Sequence, residues 1–327
     1  MKANDISCLV FKIYNAKILL KMNKIFKGYF LGALAAACYG LIPLFAVNLY
    51  HDGFNVDSVL FYRFFVSTIF LGIYLKLKRE RFLLKNKEIL PVCFMGLLFA
   101  ISSFTLFISY NYLNIGIAST LLFVYPIMVA MINFIFFREK LSFFTIISIL
   151  FAVFGIFLLS KTNDGGTISL IGVTFVIISA LSYSVYMIAI NKSKVSNLSP
   201  SKLTFYVLIF ALIFISLKIL VNDNLILPNS ISNFENILGL AVFPTVISFI
   251  SLSMAIRLIG STYTAVLGAL EPLTGVMVGI LAFNEIITNR ILIGIILVLI
   301  AVSIIIFDKK LMSIIEKKFF NKLHKHY

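Results

Sequence analysis

The segment STYTAVLGALEPLTGVMVGILAF, residues 261–283, contains a single charged side chain, Glu271, in its 23 residues. A run of this length and composition is typical of an α-helix that crosses a bilayer, whose hydrocarbon core needs about 20 apolar residues. It lacks the two-residue alternation of a membrane β-strand, and a backbone in lipid must satisfy its own hydrogen bonds. The segment therefore predicts a transmembrane helix.

Nine further apolar runs of similar length occur in the 327 residues, which predicts an all-α integral membrane protein of ten transmembrane helices. Hydrophobic residues make up 61% of the chain and charged residues only 13%, whereas soluble chains are about a quarter charged. This composition excludes both a water-soluble domain and a disordered chain. The predicted spans are 28–47, 57–75, 89–109, 115–137, 142–160, 168–190, 203–221, 236–256, 261–283 and 290–307.

The lysines and arginines are distributed very unevenly between the two sets of loops. With the N-terminus on one side, 24 of them fall on that side and three on the other. This asymmetry predicts that both termini are cytoplasmic, in a multi-pass protein of the bacterial plasma (inner) membrane. The net charge of +15 is then explained by topology and anionic lipid, so no nucleic-acid partner is expected.

The two ends of the chain are predicted to be basic cytoplasmic tails, residues 1–27 and 308–327. The first suits a short interfacial helix, although a translation start at Met22 would remove most of it. The three cysteines are Cys8, Cys38 and Cys93, and they have no metal-binding spacing. We therefore expect neither a metal site nor a cofactor.

The chain repeats itself at an offset of 144 residues, which becomes 146 after a two-residue slip. Each half, residues 28–160 and residues 168–307, contains five spans. Because five is odd, the second half enters the membrane from the opposite side, and the two halves form an inverted repeat. Such repeats place a substrate site near the midplane between them and alternate its access, which points to transport. The matched positions are Gly28 with Gly172, Ala36 with Ala180, Tyr39 with Tyr183, Phe61-Tyr62 with Phe205-Tyr206, Ile115-Gly116 with Ile259-Gly260, Pro126 with Pro272, and Glu139 with Glu285.

Several motifs in this order resemble the drug/metabolite transporter superfamily, in particular its EamA branch, over about residues 28–307. The resemblance implies a ten-helix carrier for small organic solutes such as amino acids, with a central cavity lined by the N-terminal helices of each bundle. The residues before Glu139 and Glu285 are Arg138 and Asn284, where the family usually has glycine. The motifs are Phe61-Tyr-Arg-Phe-Phe65, the run from Ile117 to Pro126, Arg138-Glu-Lys-Leu141, the run from Ser179 to Tyr186, and Glu271-Pro272 followed by Glu285.

Glu271 is the strongest candidate for substrate binding or coupling, because a carboxylate ten residues into a span is costly unless it faces a wet cavity or a partner. It would receive a substrate amine or a proton. The structural alternative is a protonated carboxyl bonded to a carbonyl that Pro272 frees. Pro272 and its counterpart Pro126 are expected to kink their helices and serve as hinges.

Arg63 and three tyrosines are further candidates for the substrate site. Arg63 would bind a substrate carboxylate; alternatively it snorkels to the outer headgroups or to a neighbouring carbonyl. Tyr39 and Tyr183 occupy equivalent repeat positions, which favours a shared cavity wall, and Tyr125 precedes Pro126. The alternative for the tyrosines is an interfacial belt or interhelical packing.

Glu139 and Glu285 lie at equivalent span ends, where each is expected to cap the following helix. The spans contain neither the histidine that an intramembrane serine protease needs nor the aspartate pair of an intramembrane aspartic protease. The last span has no lysine that could bind retinal, and the sequence has no phosphate-binding loop for a nucleotide. The chain is therefore predicted to be a carrier and not an enzyme. A channel or a lipid-translocating protein remains the alternative, and the sequence leaves the proton coupling and the oligomeric state open.

Overall fold

A computed structural model describes residues 23–109, 111–113, 118, 121–139, 141–159, 169–193, 195, 198–222, 225–283, 289–290, 292–305 and 307. Regular structure in these residues is helical throughout, and the helices follow the ten predicted spans. The described residues do not include 1–22, which form most of the basic N-terminal tail and contain Met22, the basic C-terminal tail 308–327, or Glu285. The helices are α1 Asn23–His51, α2 Val56–Leu77, α3 Asn86–Ser109, α4 Tyr125–Phe137, α5 Phe143–Leu159, α6 Leu170–Lys192, α7 Pro200–Asn222, α8 Ile231–Ile259, α9 in two pieces, Ser261–Leu267 and Leu270–Phe283, and α10 Leu292–Ile305.

Several helices begin at a polar residue that the hydropathy pattern passes over. Asn55 accepts a hydrogen bond from the amide of Ser58 at 2.8 Å at the start of α2, and Ser230 accepts one from the amide of Asn233 at 3.2 Å at the start of α8. Such caps satisfy amides that have no partner within the helix. Six helices are individually long and apolar enough to cross a membrane, and the described parts of α4, α5 and α10 are shorter.

Helices of the first half pack chiefly against helices of the second half, so the two repeats share one core. α2 lies against α7, α3 lies against α6 and α7, and α4 lies against α6 and α9. Between α3 and α6 the hydroxyls of Ser102 and Ser179 are 3.1 Å apart. The fold is therefore the predicted ten-helix arrangement of two inverted five-helix repeats.

Polar contacts join α2 and α7 at both ends. At one end the Lys218 ammonium lies 2.6 Å from the Asp57 carboxylate and 3.8 Å from the centroid of the Phe104 ring. At the other end Ser199 donates a hydrogen bond to the Glu80 carboxylate at 2.6 Å. This pair of helices ties the two halves together along its whole length.

Three of the helices are interrupted in their middle, and a turn directly precedes a fourth. α1 has a turn at Gly40 and Leu41, and α9 has a turn at Gly268 and Ala269. A turn at residues 123–124 precedes the described helix α4, and α8 contains a π-helical segment, Val242–Ile247. A broken helix exposes backbone groups and permits close approach of a neighbour, and in transporters such breaks surround the binding site.

Candidate functional site

A cavity lies between α1, α4, α6, α8 and α9, beside the turns in α1, α4 and α9. Its volume is only about 10 Å³, which is at the lower limit for one water molecule. In this conformation no organic solute fits without movement of the surrounding helices. The polar residues that line it are Tyr39, Tyr125, Tyr183, Ser248, Thr264 and Glu271.

Glu271 is half-buried in the cavity wall, in the first turn of the second piece of α9. Its carboxylate makes no hydrogen bond or ion pair with any other residue that the structure describes. The start of a helix favours negative charge, which lowers the cost of ionising a carboxyl at this position when a cation approaches.

The break in α9 is closed by Tyr125 from α4. The Tyr125 hydroxyl donates a hydrogen bond to the Ala265 carbonyl at 3.2 Å. It also packs directly on Gly268, where any side chain would collide with it. Glycine is therefore required at the break, and Tyr125 determines where the second piece of α9, with Glu271 in it, begins.

Tyr39 and Tyr183 provide aromatic walls on the two sides of the cavity. The rings of Tyr125 and Tyr183 meet edge to face, with their centroids 5.1 Å apart. Tyr39 packs edge to face on Phe249, at 5.8 Å. Behind Tyr183 lies Tyr186, which is fully buried and whose hydroxyl has no hydrogen-bond partner in the part of the chain that the structure describes.

Arg63 lies outside the cavity, behind Tyr39, and is completely buried. Its Nε donates to the Thr245 hydroxyl at 2.8 Å and its Nη2 to the Pro244 carbonyl at 3.4 Å. Its guanidinium carbon is 5.3 Å from the centroid of the Tyr39 ring, and its Nη1 has no hydrogen-bond partner among the residues described above. The side chain therefore runs into the protein and does not reach the lipid headgroups. It does bond to a neighbouring carbonyl, that of Pro244, which was the other form of the snorkelling alternative.

The π-helical segment of α8 creates the binding place for Arg63. Pro244 lies within it, and the wider turn leaves its carbonyl free to accept a hydrogen bond. The Thr245 hydroxyl accepts from Arg63 and itself donates to the Leu240 carbonyl at 2.9 Å. The sequence analysis did not identify Pro244 or Thr245 as partners of Arg63. The signal available in the sequence was the proline inside the eighth span, which indicates an irregular helix.

The two hinge prolines lie just after helix breaks and do not kink continuous helices. Pro126 is in the first turn of α4, and Pro272 is the third residue of the second piece of α9. In the first turn of a helix the backbone N–H groups have no acceptor within the helix. Proline, which has no N–H group, is therefore well tolerated there. The interruption of α9 lies at Gly268 and Ala269, three to four residues before Pro272, and the role of the two prolines as hinges stays a prediction.

Glu139 does not cap α5 as expected. Its carboxylate lies 2.6 Å from the Lys192 ammonium at the end of α6. The amide of Thr145 in the first turn of α5 instead donates to the Ser142 hydroxyl at 3.0 Å. Lys192 is near enough to attract the carboxylate, and Ser142 is closer to the helix start. Glu285, the counterpart of Glu139 in the second repeat, lies outside the described residues.

The groups that line the cavity can bind a small polar solute. The described residues contain no group of three or more histidine, cysteine, aspartate or glutamate side chains that could hold a metal ion. What the cavity presents is one carboxylate, three phenol rings and small walls from Gly32, Ala35 and Ala36.

Comparison with known proteins identifies the family. The model of the EamA-like transporter family matches residues 26–161 and again residues 170–307. An uncharacterized transporter of Archaeoglobus fulgidus is 26% identical over 140 residues, a match that spans 42% of this chain and 48% of that protein. One crystal structure of a protein superposes with a TM-score of 0.73 over 85% of this chain and 95% of its own, at 16% identity, a likeness that shows the fold alone. The chain belongs to the EamA-like transporter family.

Proposed function

We propose that this protein is a secondary carrier that moves a small organic metabolite, such as an amino acid, by alternating access between the repeats 28–160 and 168–307. The observation that carries the proposal is the closed cavity at the contact of the two repeats, with the carboxylate of Glu271 in its wall. A binding residue enclosed between two inverted bundles is typical of carriers.

The same observation favours a carrier over a channel. A channel needs a continuous polar path, whereas this cavity has room for at most one water molecule. Hydrogen bonds between the two halves seal the cavity on both of its sides. Asn48 and Asn236 are hydrogen bonded at 3.2 Å on one side, and Asn133 donates to Ser261 at 2.8 Å on the other. These contacts support an occluded state in a cycle of alternating access.

The test of this function is efflux of a mixed metabolite pool from proteoliposomes, read by mass spectrometry. Wild type is compared with Glu271→Gln and with Glu235→Gln, a matched control at an exposed residue outside the cavity. We expect one compound class to leave through wild type and Glu235→Gln but not through Glu271→Gln. Ion leakage through all three proteins alike would contradict the carrier and favour the channel.

The orientation that the lysine and arginine distribution supports has both termini on the cytoplasmic side of a bacterial plasma membrane. A reporter that fluoresces only in the cytoplasm, fused after residue 327, tests it. Fluorescence of the fusion is the expected result, and a dark but correctly inserted fusion would reverse the orientation.

A further inference from the structure

Among the described residues that line the cavity, Glu271 is the one with an ionisable carboxyl, and we propose that the cavity recognises the ammonium group of its substrate and makes no use of a substrate carboxylate. This inference rests on the proposed carrier function and narrows its substrate class to compounds that carry an amine, including amino acids and simple amines. It follows from what Glu271, the tyrosines and Arg63 each offer to a ligand.

Glu271 is the only charged residue in the cavity wall as the structure describes it. Its carboxylate has no hydrogen-bond or ion-pair partner among the described residues, so both oxygens are available to a ligand. A carboxylate enclosed by protein is costly without a compensating cation. An incoming ammonium would supply that charge together with up to three N–H donors.

The rings around Glu271 suit a cation. The Tyr125 hydroxyl donates to the Ala265 carbonyl, so its proton is not available to a ligand, and its ring is part of the cavity wall. Tyr183 stands edge to face with Tyr125, and Tyr39 lines the same cavity. Aromatic faces attract ammonium groups, and most strongly where water is excluded.

A substrate carboxylate finds no matching cation. Arg63 is fully buried behind Tyr39 and is bound to Thr245 and Pro244, so its guanidinium does not reach the cavity. A carboxylate placed beside Glu271 would also be repelled by it.

The hydroxyl groups of the cavity leave few donors for such a carboxylate. Ser248 donates to the Ala35 carbonyl at 2.8 Å, and Thr264 donates to the Gly260 carbonyl at 2.8 Å. Because a hydroxyl has only one hydrogen, these two are not available as donors. The phenols of Tyr39 and Tyr183 remain as neutral donors, whereas Glu271 can supply a full negative charge. The cavity is thus better matched to the amine of an amino acid than to its carboxylate.

The test compares three matched sets of ligands on the purified full-length protein in detergent. Each set contains an amino acid, its amide and its N-acetyl derivative, for alanine, leucine and phenylalanine. The amide retains the ammonium without the carboxylate, and the N-acetyl compound retains the carboxylate without the ammonium. A ligand that binds the folded protein raises its unfolding temperature.

We expect the amino acid and the amide of at least one set to raise the unfolding temperature equally, and its N-acetyl derivative to have no effect. Glu271→Gln should weaken this binding by about tenfold or more, the loss of a charge-assisted hydrogen bond, while Glu235→Gln should leave it unchanged. Stabilisation by an N-acetyl compound but not by its amide would overturn the proposal.

The proposal also fails if no set stabilises wild type, or if Glu271→Gln binds as wild type does. The metabolite efflux described above separates this failure from failure of the carrier function. Release of a compound class without an amine would leave the carrier standing and refute the ammonium site. An absence of any carrier-dependent release would refute both.

Discussion

The hydroxyl group of Tyr125 occupies the space in which any side chain at Gly268 would place its Cβ atom. The same hydroxyl is hydrogen bonded to the Ala265 carbonyl at 3.2 Å, within the break of α9. A residue of the first repeat therefore determines the shape of a helix of the second repeat, and Glu271 follows three residues after that break. This contact couples the position of the cavity carboxylate to the packing of α4.

Replacement of Gly268 by alanine should therefore destabilise the protein. We expect Gly268→Ala to lower the free energy of unfolding by about 1–3 kcal/mol, the usual cost of overpacking a filled site. Chemical denaturation in detergent measures this, and efflux from proteoliposomes should decline in parallel. Tyr125→Phe removes the colliding hydroxyl, so the double variant should recover part of the loss; a double variant no more stable than Gly268→Ala would disprove the contact.

Gly40 should be less replaceable than Gly275, although both lie between α1 and α9. A Cβ atom at Gly40 would collide with the Glu271 backbone carbonyl and lie 2.7 Å from the Thr274 Cβ. A Cβ at Gly275 would meet nothing nearer than the Gly40 carbonyl, at 3.9 Å. We expect Gly40→Ala to reduce both stability and transport, since a backbone carbonyl cannot move aside. Gly275→Ala is the matched control, with wild-type transport and unchanged or slightly raised stability; equal losses in the two variants would contradict the close approach.

The two hydrogen bonds from Arg63 to α8 require a guanidinium group, so we expect that a lysine cannot replace Arg63. Arg63→Lys keeps the charge but cannot reproduce the fork that reaches Thr245 and Pro244 together. We expect it to lower the free energy of unfolding by about 1.5–3 kcal/mol, the range for a hydrogen bond to a charged group. Arg81→Lys, at an exposed loop position, serves as the control and should have no effect.

Thr245→Val provides the second side of a double-variant cycle with Arg63→Lys. Because both changes break the same Nε–hydroxyl contact, their effects on unfolding should not add. Simple additivity would show that Arg63 and Thr245 act independently.

Transport should depend on pH through Glu271. Protonation removes the one charge of the cavity wall, so binding of an ammonium should weaken as the pH falls and Glu271 becomes neutral. Among the described residues that line the cavity, Glu271 is the one with a carboxyl group. Initial efflux rates over a pH series, for wild type and Glu271→Gln, measure this.

A Glu271→Gln variant that transports with the full pH dependence of wild type would rule out proton coupling at this residue. Residual transport through Glu271→Gln that is measurable above the protein-free background and equal at every pH would support proton coupling at Glu271. Glu235→Gln should follow the wild-type profile, because its exposed carboxylate lies outside the cavity.

Much of the fold was predictable because a bilayer imposes simple rules. An apolar run such as residues 203–221 has to be a helix in lipid, and the lysines between the runs indicate orientation. Glu271 was also detectable, since a carboxylate in the middle of a span is expensive and needs a reason. The repeat at Tyr39 and Tyr183 pointed to a shared cavity wall, and both rings line the cavity.

The environment of Arg63 was not predictable in the same way. Its depth in the span suggested contact with the outer headgroups, but the π-helical segment of α8 offers the Pro244 carbonyl and the Thr245 hydroxyl, more than 180 residues away in the sequence. Hydropathy reports how apolar a helix is and carries no information on which residue of another helix faces it. The ion pair of Glu139 with Lys192 escaped prediction for the same reason.

By itself the sequence determined that this protein is a ten-helix inverted repeat with a carboxylate deep in its ninth span, because lipid selects helices and penalises charge. Only the tertiary structure decided that α9 breaks at Gly268, that Tyr125 closes the break and that Arg63 is withdrawn from the cavity. These features depend on distances between helices far apart in the chain. They are governed by packing and hydrogen bonding between side chains, which no periodicity within a single segment records.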